Sequence, residues 1–210
     1  MTITQLPLYV LGSSGYAKEV AAYARVINPQ RPVFFVDNYA EGDQCITVAA
    51  YHERLSAGGE SVLGSGRCEI RRKMMHEIRP PFATVIHPSA VVLGEVAEGC
   101  VIAPGAVIAP NAALRPHVVV NYNATVGHDS VIGPLSVIGP TAAIGGWCVL
   151  VEAVYVGAGA LIREKVTLEH DVVIGMGAVV TRNVEADHYA MGVPARANAK
   201  IEAGGGWLKK

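Results

Sequence analysis

The chain of 210 residues carries a net charge of −1, with 51% of its residues apolar and only 17% charged. That balance excludes a field favouring nucleic acid or an anionic membrane. A charged share below the usual quarter leaves a lone protomer short of charge for its surface, which points to self-association. No run of about 18 apolar residues could span a membrane, and "LPLYVLG" lacks the basic start and the length of a secretory leader. Cys45, Cys68, Cys100 and Cys148 show no CxxC spacing, so they read as small buried thiols of a cytoplasmic protein. The terminal Lys209–Lys210 pair is too small to count as a basic cluster.

In chain order, "LPLYVLG" predicts a buried strand and "GSSGYAKEVAAYARV" a helix with Val20, Tyr23, Ala24 and Ile27 on its apolar side. "PVFFVDN" predicts a second strand ending at Asp37 and Asn38, "SVLGSG" a third, and "RCEIRRKMMHEI" another helix. Strand, helix, strand, strand, helix suggests a small parallel α/β layer, a Rossmann-like half-domain. The turn at Gly12, Ser13, Ser14 and Gly15 opens a helix, whose free amides and dipole suit a phosphate. Asp37 follows Gly15 at the distance where such folds place a ribose-binding carboxylate. GxxG is not GxGxxG, however, so an ordinary glycine-containing strand-to-helix turn is the alternative. Pro80, Pro81 and Pro88 in "RPPFATVIHPSA" break helix and mark a boundary near residue 84.

Beyond that boundary the chain is a repeat. Stepping by six from Val96 through Ile102, Ile108 and onward to Val180 gives fifteen consecutive aliphatic residues. Six residues return a strand's side chain to one face, whereas on a helix they turn about 600° and scatter. No strand runs that far, so the chain must turn at each hexad, with glycine, proline and asparagine at the corners. Three hexads per turn give a triangular parallel β-helix of about five coils, roughly 24 Å tall at the usual strand spacing. The expected divisions are 1–84, 85–186 for the β-helix, and a tail over 187–210. The run from Val101 to Val151 holds only Arg115 and Asp129 as charges outside histidine and cysteine. Faces that apolar seldom stay in water, and a cyclic trimer would bury them.

The order of these parts ("GSSGYAKEV", "VDN", "GSGRCEIRRKM", "VIHPSA", hexads containing "NYNATVGHDSVIG", then "GMGAVVTRNV" and "MGVPAR") resembles the sugar O- and N-acyltransferases of the sialic-acid O-acetyltransferase type, bacillosamine and perosamine N-acetyltransferases among them. The resemblance covers about Leu6 to Arg196. It implies left-handed coils, opposite to the general preference for right-handed crossovers. It also implies a homotrimer moving acetyl from acetyl-CoA to an amine or hydroxyl of a nucleotide-linked sugar. Its histidine falls on His128 with Asp129 in the acidic position, and its thioester-binding amide near Gly146. Its coenzyme would run past Ala158, Gly159, Met176 and Gly177 towards Pro194 and Arg196. The sugar nucleotide would lie at Gly12, Ser13, Ser14, Gly15, Tyr16, Asp37 and Asn38. Two positions depart: histidine is frequent in the family where this chain has Tyr16, and in some members where it has Val137.

Acyl transfer from a thioester needs a nucleophile relieved of its proton, and imidazole suits that task near neutral pH. A carboxylate on the other ring nitrogen would fix the tautomer. Neighbouring strand side chains point to opposite faces, so Asp129 can reach His128 only at a corner. Arg163, Lys165, Arg182 and Arg196 are candidate partners for coenzyme phosphates or plain surface charges. Asn121 and Asn123 are corner residues or acceptor ligands. His87 is expected to cap the first coil, and His117 and His170 to face solvent. Cys100 and Cys148, at inward positions, are not expected to act as nucleophiles. No metal is expected, because the paired histidines of the zinc hydratases with this repeat are missing. A non-catalytic trimer that only binds a sugar nucleotide is the other reading.

Overall fold

The computed structural model describes residues 6–200; the Lys209–Lys210 pair and Trp207 lie outside them. The chain begins with β1 (Leu8–Leu11), α1 (Gly15–Ile27), β2 (Val33–Val36), β3 (Cys45–Ile46), α2 (Val48–Ser56), β4 (Glu60–Leu63) and α3 (Cys68–Met74). The four strands form a parallel sheet in the order β3-β2-β1-β4. β1 is buried along its whole length and pairs in register with β2 and β4. α1 buries Ala17, Val20, Ala21 and Ala24; of the side that the apolar spacing predicts, Val20 and Ala24 are buried and Tyr23 is partly buried, whereas Ile27 at the helix end is exposed. Sequence reasoning missed β3 and α2. Thr47 caps α2 by accepting from the Ala50 amide, and Val48, Tyr51 and Leu55 at i, i+3 and i+7 are the signal that could have found it.

β5 (Val85–Ile86) and β6 (Val91–Val92) precede fifteen two-residue strands, β7 (Glu95–Val96) to β21 (Val179–Val180), one for each hexad read from the sequence. β22 (His188–Met191) extends one face in parallel, and β23 (Arg196–Lys200) pairs with it antiparallel. The expected tail therefore begins by joining the prism. With β5, β6 and β22 the solenoid reaches about six turns, one more than the hexad count, in the left-handed β-helix form of hexapeptide repeats. The first coil escapes the count because Val92 to Val96 is a step of four. Gly94 makes that short corner possible: a Cβ there would overlap the Ala112 carbonyl oxygen.

The stepped aliphatic residues form the prism core together with small inward ones, including Cys100, Ala106, Ala124 and Cys148. At the corners, residues 18 apart form vertical columns. Asn111, Asp129, Trp147 and Lys165 make one column, with φ of 59°, 58°, 55° and 62°. This is the left-handed region that L-residues seldom occupy. The position before each corner repeatedly carries proline: Pro104, Pro110, Pro116, Pro134 and Pro140. Proline fits because the fold asks no backbone donor there.

The α/β layer covers one of the three prism faces. Val101, Val119, Val137, Leu135 and Ala153 share a core with β1, α1 and α3. Two ties reinforce that contact. Arg72 of α3 bonds Asp171 at 2.6 Å and Glu152 at 3.1 Å. The fully buried Arg71 donates to the carbonyls of Ser65 (2.8 Å) and His117. His117 is buried and not solvent-facing, because its ring packs edge-on against Phe82 at this junction. The four cysteines are unpaired thiols. Burial pushes the Cys100 thiol up to about 11, which agrees with its expected inert role.

Candidate active site

His128 and Asp129 sit where the chain passes from the strand Thr125–Val126 to the strand Val131–Ile132. Asp129 occupies the left-handed corner, and that bend turns its carboxylate back so that Oδ2 lies 2.8 Å from His128 Nδ1. Asn111, one coil below, donates to Asp129 Oδ1 at 3.1 Å. These two hydrogen bonds, the histidine's first, hold the Asp129 carboxyl below its usual range. An ionised carboxylate only accepts, so the Nδ1 proton belongs to His128 and Nε2 keeps a free lone pair. The imidazole is half exposed.

One coil above, a Cβ on Gly146 would lie 2.7 Å from His128 Nε2, so only glycine leaves room for the ring. Gly146 holds the pre-corner position that proline fills elsewhere, and among the described residues its N–H finds no acceptor. Its carbonyl accepts from Lys165, and Ser130 Oγ donates to the neighbouring Gly145 carbonyl at 2.9 Å. A free, fixed amide thus lies beside the imidazole's free nitrogen. Trp147 closes the site from above, its ring perpendicular to His128 at 4.4 Å, and the Lys165 ammonium lies 5.5 Å over the indole. Sequence reasoning gave Trp147 and Asn111 no part here. The 18-residue step from Asp129 is the signal that would have found them.

The structure unites His128, Asp129 and Gly146 but holds the expected coenzyme residues elsewhere. Ala158, Gly159, Met176 and Gly177 lie on another corner column, after the strands Tyr155–Val156 and Val173–Ile174. One prism face separates the two columns within a chain. Pro194 and Arg196 follow on a segment anchored by the Ala195 amide to the Val179 carbonyl, beside that second column. Arg182 and Arg196 line a small recess of about 150 Å³ there.

At the first turn, Ser13 Oγ donates to Asp37 Oδ2 at 2.6 Å and the Tyr39 amide to Oδ1 at 2.9 Å. Asn38 Oδ1 accepts the Val48 amide. Ser14 leaves the α1 amides uncapped by its side chain, and Gly12 takes φ 102°. A cavity of about 420 Å³ opens here, lined by Ser13, Lys18, Phe35, Asp43, Gln44 and Cys45 among others. Tyr16, next to Gly15, turns away from it. Its hydroxyl is buried with no hydrogen-bond partner among the described residues, and burial raises its pKa. Val137 is packed beneath the α/β layer. Asn123 is a left-handed corner residue, and Asn121 accepts the Tyr122 amide. His87 Nδ1 bonds the Ser89 hydroxyl at the first coil. Among the described residues, the one grouping compatible with a cation is His170, Asp171 and Asp187. Asp171 there already carries the Arg72 guanidinium.

The fold is that of the hexapeptide-type sugar acyltransferases. No protein-family model matches the chain, and no curated protein matches it. Solved structures do. Perosamine N-acetyltransferase from Caulobacter crescentus, in complex with CoA and GDP-perosamine, is 25% identical in a variant form. It covers 92% of this chain and 97% of its own, with a TM-score of 0.84. The acetyltransferase domain of PglB from Neisseria gonorrhoeae, in complex with acetyl coenzyme A, is 26% identical over 92% of this chain and 100% of its own, with a TM-score of 0.84. WeeI from Acinetobacter baumannii shares the fold at 23% identity over 91% and 99%, with a TM-score of 0.82.

Proposed function

We propose that the protein is an acetyl-CoA-dependent acetyltransferase whose acceptor is an amino or hydroxyl group of a nucleotide-linked sugar. The observation that carries this is the pairing of an oriented imidazole with an unused amide: His128 Nε2, freed by the Asp129 contact at Nδ1, beside the Gly146 N–H. The similarity to structures of sugar N-acetyltransferases holding CoA, acetyl-CoA and GDP-perosamine supplies the substrate class and favours an amine.

In this reading the acceptor attacks the thioester carbonyl directly. A bond forms from the acceptor nitrogen or oxygen to the acetyl carbon while His128 Nε2 takes the departing proton. The Gly146 amide donates to the oxyanion of the tetrahedral intermediate. The carbon–sulfur bond then breaks and the thiolate leaves, taking its proton from the imidazolium. Asp129, kept ionised, stabilises that cation without accepting the proton itself.

The separation of the two corner columns supports a homotrimer. A coenzyme touching both Gly146 and the Gly159–Gly177 column needs the second column from a neighbouring copy. The exposed Val149, Val151 and Leu161 on the faces flanking the His128 corner fit burial against such a copy. We assign residues 1–84 to sugar-nucleotide binding and 85–186 to the transferase prism, which β22 and β23 extend. The turn Gly12–Gly15 with Tyr16, Asp37 and Asn38 takes the nucleotide, and Ala158, Gly159, Met176, Gly177, Pro194 and Arg196 take the coenzyme. The free thiols fit a cytoplasmic enzyme. The test is thiol release from acetyl-CoA across a panel of nucleotide-linked amino sugars. Turnover with at least one member is expected. Ligand binding with no turnover across the panel would favour a non-catalytic binder.

A further inference from the structure

Among the described residues, Trp147 is the one aromatic residue at the left-handed corners that gains little burial in return. φ is 55° at Trp147, yet half of the side chain is exposed. By contrast His117 and Leu135, also left-handed, are buried. A bulky residue in this conformation is an outlier whose strain asks for a reason. The surroundings supply one. The Nδ1 bond to Asp129 fixes one atom of the imidazole but leaves the ring free to swing about that bond. The perpendicular indole at 4.4 Å blocks the swing, and Lys165 over the indole face braces the indole in turn. Asn111 does the same for Asp129 from below. One corner column thus holds the imidazole from both sides.

We propose that Trp147 is a positioning residue, setting the angle at which His128 Nε2 meets the acceptor beside the Gly146 amide. This rests on the acyltransfer reading of the site. Misplacing a reacting group by about 1 Å can cost on the order of 100-fold in rate. Trp147→Ala therefore lowers kcat by about 10- to 100-fold with KM for either substrate little changed, and Trp147→Phe recovers most of the loss.

A second readout needs no substrate. In a Trp207→Phe background Trp147 is the sole indole, and a protonated imidazole in contact quenches indole fluorescence where a neutral one does not. Emission is expected to fall as His128 takes up its proton, and the titration is expected to vanish in His128→Gln. Full kcat in Trp147→Ala, a loss confined to KM, or emission that does not titrate with His128 would overturn the proposal. If Trp147→Ala fails to fold or assemble, Trp147→Phe and the fluorescence titration decide. A parent protein that turns over no acceptor counts against the acyltransferase reading alone, since the titration still reports on the contact.

Discussion

At the residue scale, the geometry that joins His128 to Asp129 belongs to the prism corner. His170 and Asp171 repeat it, with Nδ1 3.1 Å from Oδ2 and the aspartate again left-handed at φ 59°. What sets His128 apart is the coil above it, where Gly146 offers a free amide and Trp147 a wall. Asp171 is instead engaged by Arg72. His128→Ala should lower kcat by about 10²- to 10⁴-fold with folding intact, as steady-state kinetics and circular dichroism would check. His117 makes a separate prediction. Burial pushes its pKa down to about 4, with the Arg71 guanidinium adding to the effect. Above about pH 6.5 it is neutral folded or unfolded and contributes nothing. As pH falls from there to about 4, the unfolded chain binds a proton that the native one refuses. Stability should drop over that window by up to about 3 kcal/mol. Urea denaturation at pH 7 and pH 4.5 should show a smaller drop in His117→Phe than in the parent.

At the element scale, the corners decide which glycines are obligatory. A Cβ on Gly133 would overlap the Val151 carbonyl oxygen of the next coil, so Gly133→Ala must spread two coils. Denaturant midpoints should show a loss of about 1–3 kcal/mol. Gly15→Ala, with open space around its Cβ and a helical setting, should instead gain about 0.5–1 kcal/mol. The fifteen hexads were legible because each repeats one inward aliphatic residue. The two strands before them were not, since the shortened step at Gly94 breaks the period. α2 was lost because "VAAYHERLS" is short and mixes polar residues into its apolar spacing. Of the site, His128 and Asp129 stood out as a polar pair in an uncharged run. Trp147 and Asn111 were invisible because they meet His128 and Asp129 only through stacking of coils, 18 residues at a time.

At the scale of the whole molecule, the α/β layer covers one prism face. The other two expose Val91, Leu93, Val149, Val151 and Leu161. Sedimentation equilibrium should return three times the protomer mass of 22.1 kDa. The central claim is that an imidazole and a free amide on one corner carry out acyl transfer to a nucleotide-linked sugar. Thiol release from acetyl-CoA, followed with parent and His128→Ala on a panel of nucleotide-linked amino sugars, tests it most directly. The account predicts turnover by the parent on at least one acceptor and a loss of about 10²- to 10⁴-fold in the variant. Equal rates in the two proteins, or a parent that releases no thiol with any acceptor, would contradict it.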